Sequence, residues 1–472
     1  MNAHTGEIRV LLVAPHYAQR ISRVAQTTIG PPLGLAYLAA GLERCGIAVT
    51  ILDANAERLS DEQTVARIVH AAPQVVGLTA VTPTVDQAGA LCESVRRQLP
   101  ETLTMMGGIH PTILPAPTLE KFPALDLIVR GEADQRLAEL LKGWAEGRAW
   151  RDFPGVSFRD ENGRPASTPD AALVEDLDAL PLPARHLLPM HRYRSPDGDR
   201  FTTMVGTRGC PQNCIYCSVG LAFGRRLRLR DPRSIVAEMD ECRARYGTRV
   251  FGFIDDTFTS EREWVVRLCE ALLAAPTRTR WFCLTRVDKV DPELLRLMRR
   301  AGCFKVEYGL ESGDPDVLAF LQKGIEPRQV LDAFRWTREA KLDSMAFVML
   351  FSPAETERSL QRTRELIWQA DPDYLQVSFC TPYPGTRLAR LYAERGVELP
   401  DDWRRYVFLV DPPPAHPLFS RERMLWWQRN LLRAFFLRPR TIGRIVGAAV
   451  RNGGWRGFFR TARLSLRSLL RG

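Results

Sequence analysis

The chain carries the nine residues GCPQNCIYC at positions 209–217, in which Cys210, Cys214 and Cys217 have C-x3-C-x2-C spacing. An apolar run at positions 201–205 precedes this stretch and has the pattern of a buried strand. Glycines and a proline then interrupt regular structure, so we expect the three cysteines on a loop at the carboxyl end of that strand.

A loop of this kind can bring three thiolates around one compact soft-metal centre. Structural zinc sites usually take four ligands, commonly as two pairs, and no second pair of cysteines lies nearby in the sequence. The spacing therefore favours an iron–sulfur cluster with three cysteine ligands and one open iron. The alternative is three unrelated buried cysteines, and the framing glycines and the aromatic residue before Cys217 argue against it.

The motif C-x3-C-x-aromatic-C resembles the signature of the radical S-adenosylmethionine enzymes, and Cys210, Cys214, Tyr216 and Cys217 match it. The resemblance implies a [4Fe–4S] cluster on the three cysteines, with Tyr216 beside the cofactors. It implies that the open iron binds the amino and carboxylate groups of S-adenosylmethionine. One electron, from a donor such as flavodoxin or ferredoxin, would then cleave the sulfonium and give a 5′-deoxyadenosyl radical.

The composition is that of a globular protein of 472 residues, which is long enough for two or three domains. Ten cysteines and an N-terminal stretch unlike a signal peptide indicate a reducing, cytoplasmic location. No apolar run is long enough to span a bilayer. The net charge of +10 is uneven, because Arg421–Gly472 contains thirteen arginines and one acid. The tail is therefore strongly basic, and the rest of the chain is nearly neutral.

Residues 1–150 alternate between strand and helix patterns, with predicted strands beginning near Ile8, Ala48, Val75, Leu103 and Leu125. This alternation predicts an α/β fold, a doubly wound Rossmann-like domain with a parallel sheet covered on both faces. Ligands of such sheets bind beyond the carboxyl ends of the strands.

Three stretches of this region resemble the cobalamin-binding domain that precedes many radical S-adenosylmethionine domains. They are GPPLG at 30–34, GGIHPT at 107–112 and VRGE at 129–132. The resemblance implies bound cobalamin, with the cofactor-binding residues Gly34, Thr79, Gly107, Gly108, His110, Gly131 and Glu132. The alternative is a scaffold of the same fold without a cofactor.

Many cobalamin-binding proteins carry D-x-H-x-x-G, whose histidine ligates cobalt, and this chain lacks that motif. His110 is the one histidine that we place at a predicted strand end. We favour a role for His110 in capping a helix or binding a loop over a role as cobalt ligand. We therefore expect cobalamin without a protein histidine on cobalt.

Residues 151–200 are rich in proline, aspartate and glycine and are predicted to form a linker with one small hairpin. From 201 to 396 the alternation resumes, with six predicted strands at 202–205, 250–254, 281–284, 305–308, 345–349 and 374–379. Six such units fit the partial (β/α)6 barrel of the radical enzymes, whose active site lies at the carboxyl ends of the strands.

Polar residues follow several of these strands. The resemblance implies that Asp255 and Asp256 receive the amino group of S-adenosylmethionine, and that Glu311 and Ser312 contact its ribose or amino-acid part. Arg286 follows the third strand, and its guanidinium fork suits the methionyl carboxylate; a surface salt bridge is the alternative.

Cys380 ends the sixth predicted strand. A buried, inert thiol is the more frequent outcome for such a residue. Its place at a strand end also makes Cys380 a candidate catalytic donor of a proton or hydrogen atom.

Residues 397–472 form the last region, in which basic helical segments begin at Arg421. We predict that 421–437 packs on the barrel as a lid and that 455–472, where arginines alternate with aromatic residues, faces an anionic membrane surface. Nucleic acid is a rival partner, because arginine also binds phosphate, but we do not expect it.

The leading hypothesis is a cobalamin-dependent radical S-adenosylmethionine enzyme that methylates an unactivated carbon of a small or lipid-like substrate. The resemblance implies two molecules of S-adenosylmethionine per turnover, one for the radical and one to remethylate cobalt. The first alternative is a cyclase with the same cofactors and no methyl transfer. The second is a non-catalytic cobalamin or iron–sulfur sensor.

Overall fold

A computed structural model of the protein describes residues 8–16 and 30–444, which build two large sheets, a short two-stranded ribbon and surrounding helices. The first sheet contains β1 (Arg9–Ala14), β2 (Ala48–Asp53), β3 (Val75–Thr79), β4 (Leu103–Gly107), β5 (Leu127–Val129), β6 (Val156–Arg159) and β7 (Pro165–Ser167). Its helices are α1 (Leu33–Arg44), α2 (Ala54–Glu57), α3 (Asp61–Ala71), α4 (Val85–Gln98), α5 (Ile109–Ile113), α6 (Pro115–Lys121) and α7 (Leu137–Ala145).

The strand order of the first sheet is β2-β1-β3-β4-β5-β6-β7. The first five strands are parallel, and two apolar clusters cover the two faces of the sheet. The chain runs from β1 to β2 on one side of β1 and then crosses to β3 on its other side. The direction in which strands are added therefore reverses between β1 and β3. Open parallel sheets bind ligands beyond the strand ends at such a reversal. The predicted doubly wound fold is confirmed.

The hairpin predicted in the linker forms as β6 and β7, but it extends the first sheet. β6 pairs antiparallel with β5, and β7 pairs with β6, so the sheet continues to Ser167. The predicted domain limits at 150, 200 and 396 stay predictions. The limit at 150 falls between β5 and β6, which are paired strands of this one sheet. Strand pairing between 127–129 and 156–158 is non-local, which explains why the local pattern indicated only a separate hairpin.

The second sheet contains β8 (Phe201–Met204), β11 (Val250–Phe253), β12 (Arg280–Thr285), β13 (Cys303–Glu311), β14 (Asp343–Leu350) and β15 (Tyr374–Phe379). These six strands are parallel and in chain order, as a partial (β/α)6 barrel requires. A short antiparallel ribbon, β9 (Thr207–Arg208) with β10 (Arg228–Leu229), brackets residues 209–227, which we call the cysteine loop. The remaining helices are α8 (Val219–Ala222), α9 (Pro232–Tyr246), α10 (Arg262–Ala274), α11 (Pro292–Arg300), α12 (Pro315–Phe320), α13 (Pro327–Glu339), α14 (Glu357–Ala370), α15 (Arg387–Glu394) and α16 (Arg421–Phe436).

Three barrel helices, α9, α11 and α12, begin with the same aspartate–proline pair. In each, the aspartate side chain accepts hydrogen bonds from backbone amides of the first turn. Proline at the first helical position has no amide to leave unpaired, and its fixed φ suits the helix. These starts position the strand-to-helix turns around the open end of the barrel.

Helix α16 packs on the barrel beside β15, as predicted for 421–437. Its Met424, Trp427, Leu431 and Phe435 are buried, and Gln428 Nε2 donates to the carbonyl oxygens of Val377 and Leu409 at 3.0 Å each. The predicted membrane-facing segment 455–472 lies outside the described residues. Within the described residues, no helix is long and apolar enough to cross a membrane.

Candidate active site

The three motif cysteines lie on the cysteine loop at the carboxyl end of β8, and none forms a disulfide. Cys210 and Cys214 are half-buried and Cys217 is exposed. Backbone bonds hold the loop from behind: Ile215 N donates to Leu321 O at 3.1 Å, and Leu388 N donates to Ile215 O at 2.9 Å. The loop is therefore fixed by α12 and α15 independently of the thiols, which leaves the thiols free to bind a metal cluster.

The thiols fit a cluster better than a single ion. In the described part of the chain, no three Cys, His, Asp or Glu side chains converge on one metal position. A four-iron cluster does not require this, because each cysteine binds a different iron. Although Cys217 has exposed surface, the protein atoms around its thiol partly exclude water and raise the pKa of the thiol to about 12, and the neighbouring Cys214, Asp256 and Cys210 raise it further. Ionising the Cys217 thiol is therefore costly unless a cationic centre binds it, and iron would supply that charge.

Tyr216 joins a buried polar group behind the cysteine loop. Its hydroxyl donates to Glu311 Oε1 at 3.1 Å, and Lys323 Nζ donates to the same oxygen at 2.7 Å. Glu311 has φ +62°, a left-handed conformation that is uncommon outside glycine and that re-aims the side chain at the end of β13. Sequence reasoning missed Lys323, which follows a short helix rather than a strand. The aspartate–proline pair upstream of Lys323 indicates the start of a helix, and it does not indicate a functional residue after that helix.

The adjacent carboxylates Asp255 and Asp256 have different surroundings. Asp255 is buried and accepts hydrogen bonds from the amides of Gly206 and Thr207, which lie between β8 and the cysteine loop. Burial raises its pKa to about 7. Asp256 is exposed, and partial desolvation by the surrounding protein raises its pKa to about 6. Its charge also raises the pKa of Cys217, so the carboxylate lies near the cysteine loop. Asp255 thus fixes the entry to the cysteine loop, and Asp256 is the carboxylate with room for a ligand.

Arg286 lies buried at the end of β12 with one part of its guanidinium unused. Nε and Nη2 donate to Asp288 at 2.8 and 3.2 Å, and Nη2 also approaches Gly324 O at 3.3 Å. Nη1 is buried without a partner among the described residues. A buried cationic nitrogen without an acceptor is costly, so an anionic group is expected beside it. This geometry suits a carboxylate, as the sequence predicts.

Two predicted residues are fully buried and have no exposed surface for a ligand. Ser312 is fully buried, and its Oγ pairs with Thr363 Oγ1 of α14 at 3.1 Å. Cys380 is fully buried in an apolar cluster with Ile215, Met349 and Tyr392, and burial raises the pKa of its thiol well above the ordinary value. This environment favours the inert thiol over the catalytic donor.

Of the glycines predicted to approach cobalamin, Gly107, Gly108 and Gly131 lie at strand ends of the first sheet. Gly108 has φ +106°, and a Cβ there would lie 2.5 Å from Ala80 O, so only glycine fits. Gly131 N donates to Thr112 Oγ1 at 3.0 Å. Gly107 and Thr79 are paired across β3 and β4 and half-buried, while Gly34 is exposed at the start of α1.

His110 is held by other protein groups. Its Nδ1 lies 3.2 Å from Thr82 Oγ1, and its ring meets Trp403 with centroids 4.4 Å apart. Desolvation, with the nearby Lys121, lowers its pKa to about 4. The packing favours the structural role that the sequence analysis preferred.

His16 also lies at a strand end, two residues beyond β1 at the reversal of the sheet, and the sequence analysis overlooked it. Val81, exposed just after β3, lines the same reversal.

Glu132 is occupied by an ion pair. Both carboxylate oxygens accept from Arg228 of β10, at 2.6 and 2.9 Å, and Oε2 also accepts from Val174 N at 2.8 Å. The carboxylate is almost fully buried. Glu132 therefore joins the first sheet to the barrel, a contact 96 residues apart that no local pattern indicates.

Comparison with known proteins identifies the class. The family model for the radical S-adenosylmethionine superfamily matches residues 204–367, and the B12 binding domain model matches residues 23–141. The uncharacterized methyltransferase PH0819 of Pyrococcus horikoshii is 32% identical over 435 residues, which cover 92% of this chain and 94% of the relative. The chain belongs to the family of radical S-adenosylmethionine enzymes with a cobalamin-binding domain. The predicted family, enzymatic class and cofactors are thereby confirmed.

Two further similarities extend this result. The anaerobic magnesium-protoporphyrin IX monomethyl ester cyclase of Cereibacter sphaeroides is 29% identical over 442 residues, covering 91% of this chain and 71% of the cyclase. The solved structure of the radical S-adenosylmethionine methyltransferase TsrM from Kitasatospora setae, with cobalamin and a [4Fe–4S] cluster bound, has a TM-score of 0.75 and 18% identity. It covers 98% of this chain and 99% of that chain, so the whole architecture is shared.

Proposed function

We propose that this protein methylates an unactivated carbon of a small or lipid-like substrate, using a [4Fe–4S] cluster, S-adenosylmethionine and cobalamin. The similarity to PH0819, which is named a methyltransferase and is covered over 94% of its length, supports methyl transfer. When bound, these groups supply one-electron cleavage of a sulfonium and delivery of a methyl group, with electrons from a donor such as flavodoxin or ferredoxin.

The observation that carries the proposal is the meeting of the two candidate cofactor sites. A Cβ at Gly385 would lie 2.2 Å from Ile113 of α5 and 3.8 Å from Leu221 of α8. Helix α5 follows β4 of the cobalamin-binding sheet, and α8 belongs to the cysteine loop. The carboxyl ends of both sheets therefore adjoin, as a reaction that uses both cofactors on one substrate requires.

The chain's own residues have distinct proposed roles. Cys210, Cys214 and Cys217 hold the cluster. Asp256 accepts the amino group of S-adenosylmethionine, and Arg286 Nη1 donates to its carboxylate. Asp255 positions the start of the cysteine loop and makes no contact with the ligand.

The test is product analysis with anaerobically reconstituted protein and a chemical reductant. A radical enzyme that transfers methyl groups forms both 5′-deoxyadenosine and S-adenosylhomocysteine, because methyl donation from S-adenosylmethionine leaves the latter. Replacing the three motif cysteines by alanine should abolish 5′-deoxyadenosine and the bound iron. The matched control is Cys45→Ala, which changes an exposed cysteine outside the motif and should retain both. Absence of S-adenosylhomocysteine from the wild-type reaction would contradict methyl transfer.

The second candidate is a ring-forming cyclase, favoured by the similarity to the Cereibacter sphaeroides cyclase. Such an enzyme would form 5′-deoxyadenosine alone. The same assay therefore separates the two candidates.

A further inference from the structure

Two arginines join the ends of the cysteine loop to the cobalamin-binding domain. Arg208 and Arg228 face each other across the β9–β10 ribbon, one at each end of the loop. Arg208 donates to both oxygens of Asp134 at 2.9 and 3.0 Å, and Arg228 donates to both oxygens of Glu132 at 2.6 and 2.9 Å. We call these four side chains the arginine clamp.

Both ion pairs of the clamp are largely buried, and in each pair the arginine binds both oxygens of the carboxylate. The side chains of Arg228 and Glu132 are 2% and 1% exposed, and those of Arg208 and Asp134 are 13% and 8% exposed. Bidentate arginine–carboxylate pairs fix orientation as well as distance, and removal of one partner leaves a buried charge uncompensated. The clamp therefore resists relative movement of the two segments it joins.

Both segments lie at the candidate cofactor sites. Glu132 and Asp134 belong to the loop that leaves the carboxyl end of β5 next to Gly131, and Arg208 is two residues before Cys210. The loop from β5 is itself fixed against α1, since a Cβ at Gly41 would lie 2.3 Å from Asp134 O. A shift of either cofactor site would thus be transmitted through the clamp to the other.

We propose that the arginine clamp is a positioning element that couples cobalamin binding to retention of the iron–sulfur cluster. Bound cobalamin holds the loop from β5, the clamp transmits this constraint to the cysteine loop, and the cluster is lost more slowly. By thermodynamic linkage, the loaded cluster increases the affinity for cobalamin by the same factor by which cobalamin stabilises the cluster. The inference concerns only the two resident cofactors of the family, so it does not depend on the substrate or on methyl transfer.

The experiment uses the full chain, loaded anaerobically with its cluster. Transfer of iron to a ferrous chelator is followed with and without hydroxocobalamin, and the Kd of hydroxocobalamin is measured with and without the cluster. In the wild type we expect the loaded cluster to lower the Kd of hydroxocobalamin about fivefold or more, the usual lower range for coupled sites, and we expect cobalamin to slow iron loss. Asp134→Asn keeps the shape of the side chain and removes its charge. It should lower the ratio of the Kd without the cluster to the Kd with it, while iron loading is retained.

The matched control is Arg226→Gln. Arg226 lies on the same loop and pairs with Glu175 of the linker, but their side chains are 73% and 60% exposed. An exposed pair contributes little, so this variant should keep the wild-type ratio. Arg208→Lys, which keeps the charge and loses the bidentate fork, provides a second variant if Asp134→Asn does not load iron. A wild-type ratio of one, or an unchanged ratio in a loaded clamp variant, would overturn the proposal.

Discussion

Neighbouring residues of this protein have different functions because their side chains enter different surroundings. Asp255 is buried and accepts backbone amides, whereas Asp256 is exposed. Trp427 is buried and donates to Glu357 at 3.0 Å, while Trp426 is 47% exposed. At this scale, the direction of one Cβ decides whether a residue supports the fold or is available to a ligand.

Cobalt ligation can be tested at single histidines. We expect His110→Ala to leave the absorption spectrum of protein-bound hydroxocobalamin unchanged, because the ring is packed between Thr82 and Trp403. His16→Ala should also leave the spectrum unchanged if no protein histidine binds cobalt. A shift of the cobalamin bands in either variant would identify that residue as a ligand and contradict the prediction.

Glu355 predicts a pH dependence of stability. It is buried at the end of β14, accepts from the amides of Phe351 and Ser352, and burial raises its pKa from 4.5 to about 8. Between these values the folded state keeps a proton that the unfolded state releases. Stability therefore falls as pH rises, by at most about 1.4 kcal/mol for each pH unit.

Glu355→Gln is the variant that isolates this effect, because an amide oxygen can still accept both hydrogen bonds. In urea unfolding at about pH 6 and about pH 8, the wild type should lose more stability than the variant. Equal losses in the two proteins would show that Glu355 is not the group responsible.

At the scale of elements, the ribbon β9–β10 is what holds the cysteine loop in place. Its close approach depends on Gly209, which has φ +87° and whose Cβ would lie 2.2 Å from Arg226 O. The backbone of the loop is thereby drawn together directly beside Cys210. A side chain at this position would separate the two ends of the cysteine loop, which carry Arg208 and Arg228 of the arginine clamp.

We expect Gly209→Ala to lower both iron content and thermal stability. The left-handed conformation alone costs alanine about 1–2 kcal/mol, and the clash with backbone adds to it. Gly220→Ala is the control within the same loop, since its Cβ would lie 3.5 Å from the flexible Arg225 side chain. That variant should load iron normally. Equal iron content in the two reconstituted variants would contradict this account of the ribbon.

At the scale of the whole molecule, the C-terminal region links parts that are far apart in sequence. Trp403 packs on the first domain against His110, and α16 closes the barrel beside β15. The chain from β15 to α16 thus contacts both domains. Helix α16 belongs to the barrel core, which separates it from the basic segment that follows the described residues.

The membrane hypothesis concerns that following segment. We expect the full chain to sediment with anionic vesicles and a chain ending before Trp455 to sediment less, because each basic residue near such a surface contributes about 1 kcal/mol. The aromatic residues should leave part of the binding insensitive to salt. Neutral vesicles are the control. Equal sedimentation of the two chains would remove the tail from membrane contact.

The sequence alone determined the fold class and the centre of the chemistry. Alternating apolar strands and amphipathic helices define parallel sheets, and the bounds of β15 agree with the predicted strand at 374–379. Three cysteines on a loop after a strand are sufficient to indicate a cluster. These features are local, because periodicity and short spacings depend on neighbouring residues.

The tertiary structure determined which polar residues face a ligand. Glu132 and Asp255 lie at strand ends, as predicted, yet one is paired with Arg228 and the other with backbone amides. Arg208 meets Asp134 from 74 residues away. A buried carboxylate or guanidinium destabilises the fold unless it has a partner. The packing of the two domains determines which residue becomes that partner. These partners are set by contacts between residues that are far apart in the sequence, and local sequence periodicity contains no information about such contacts.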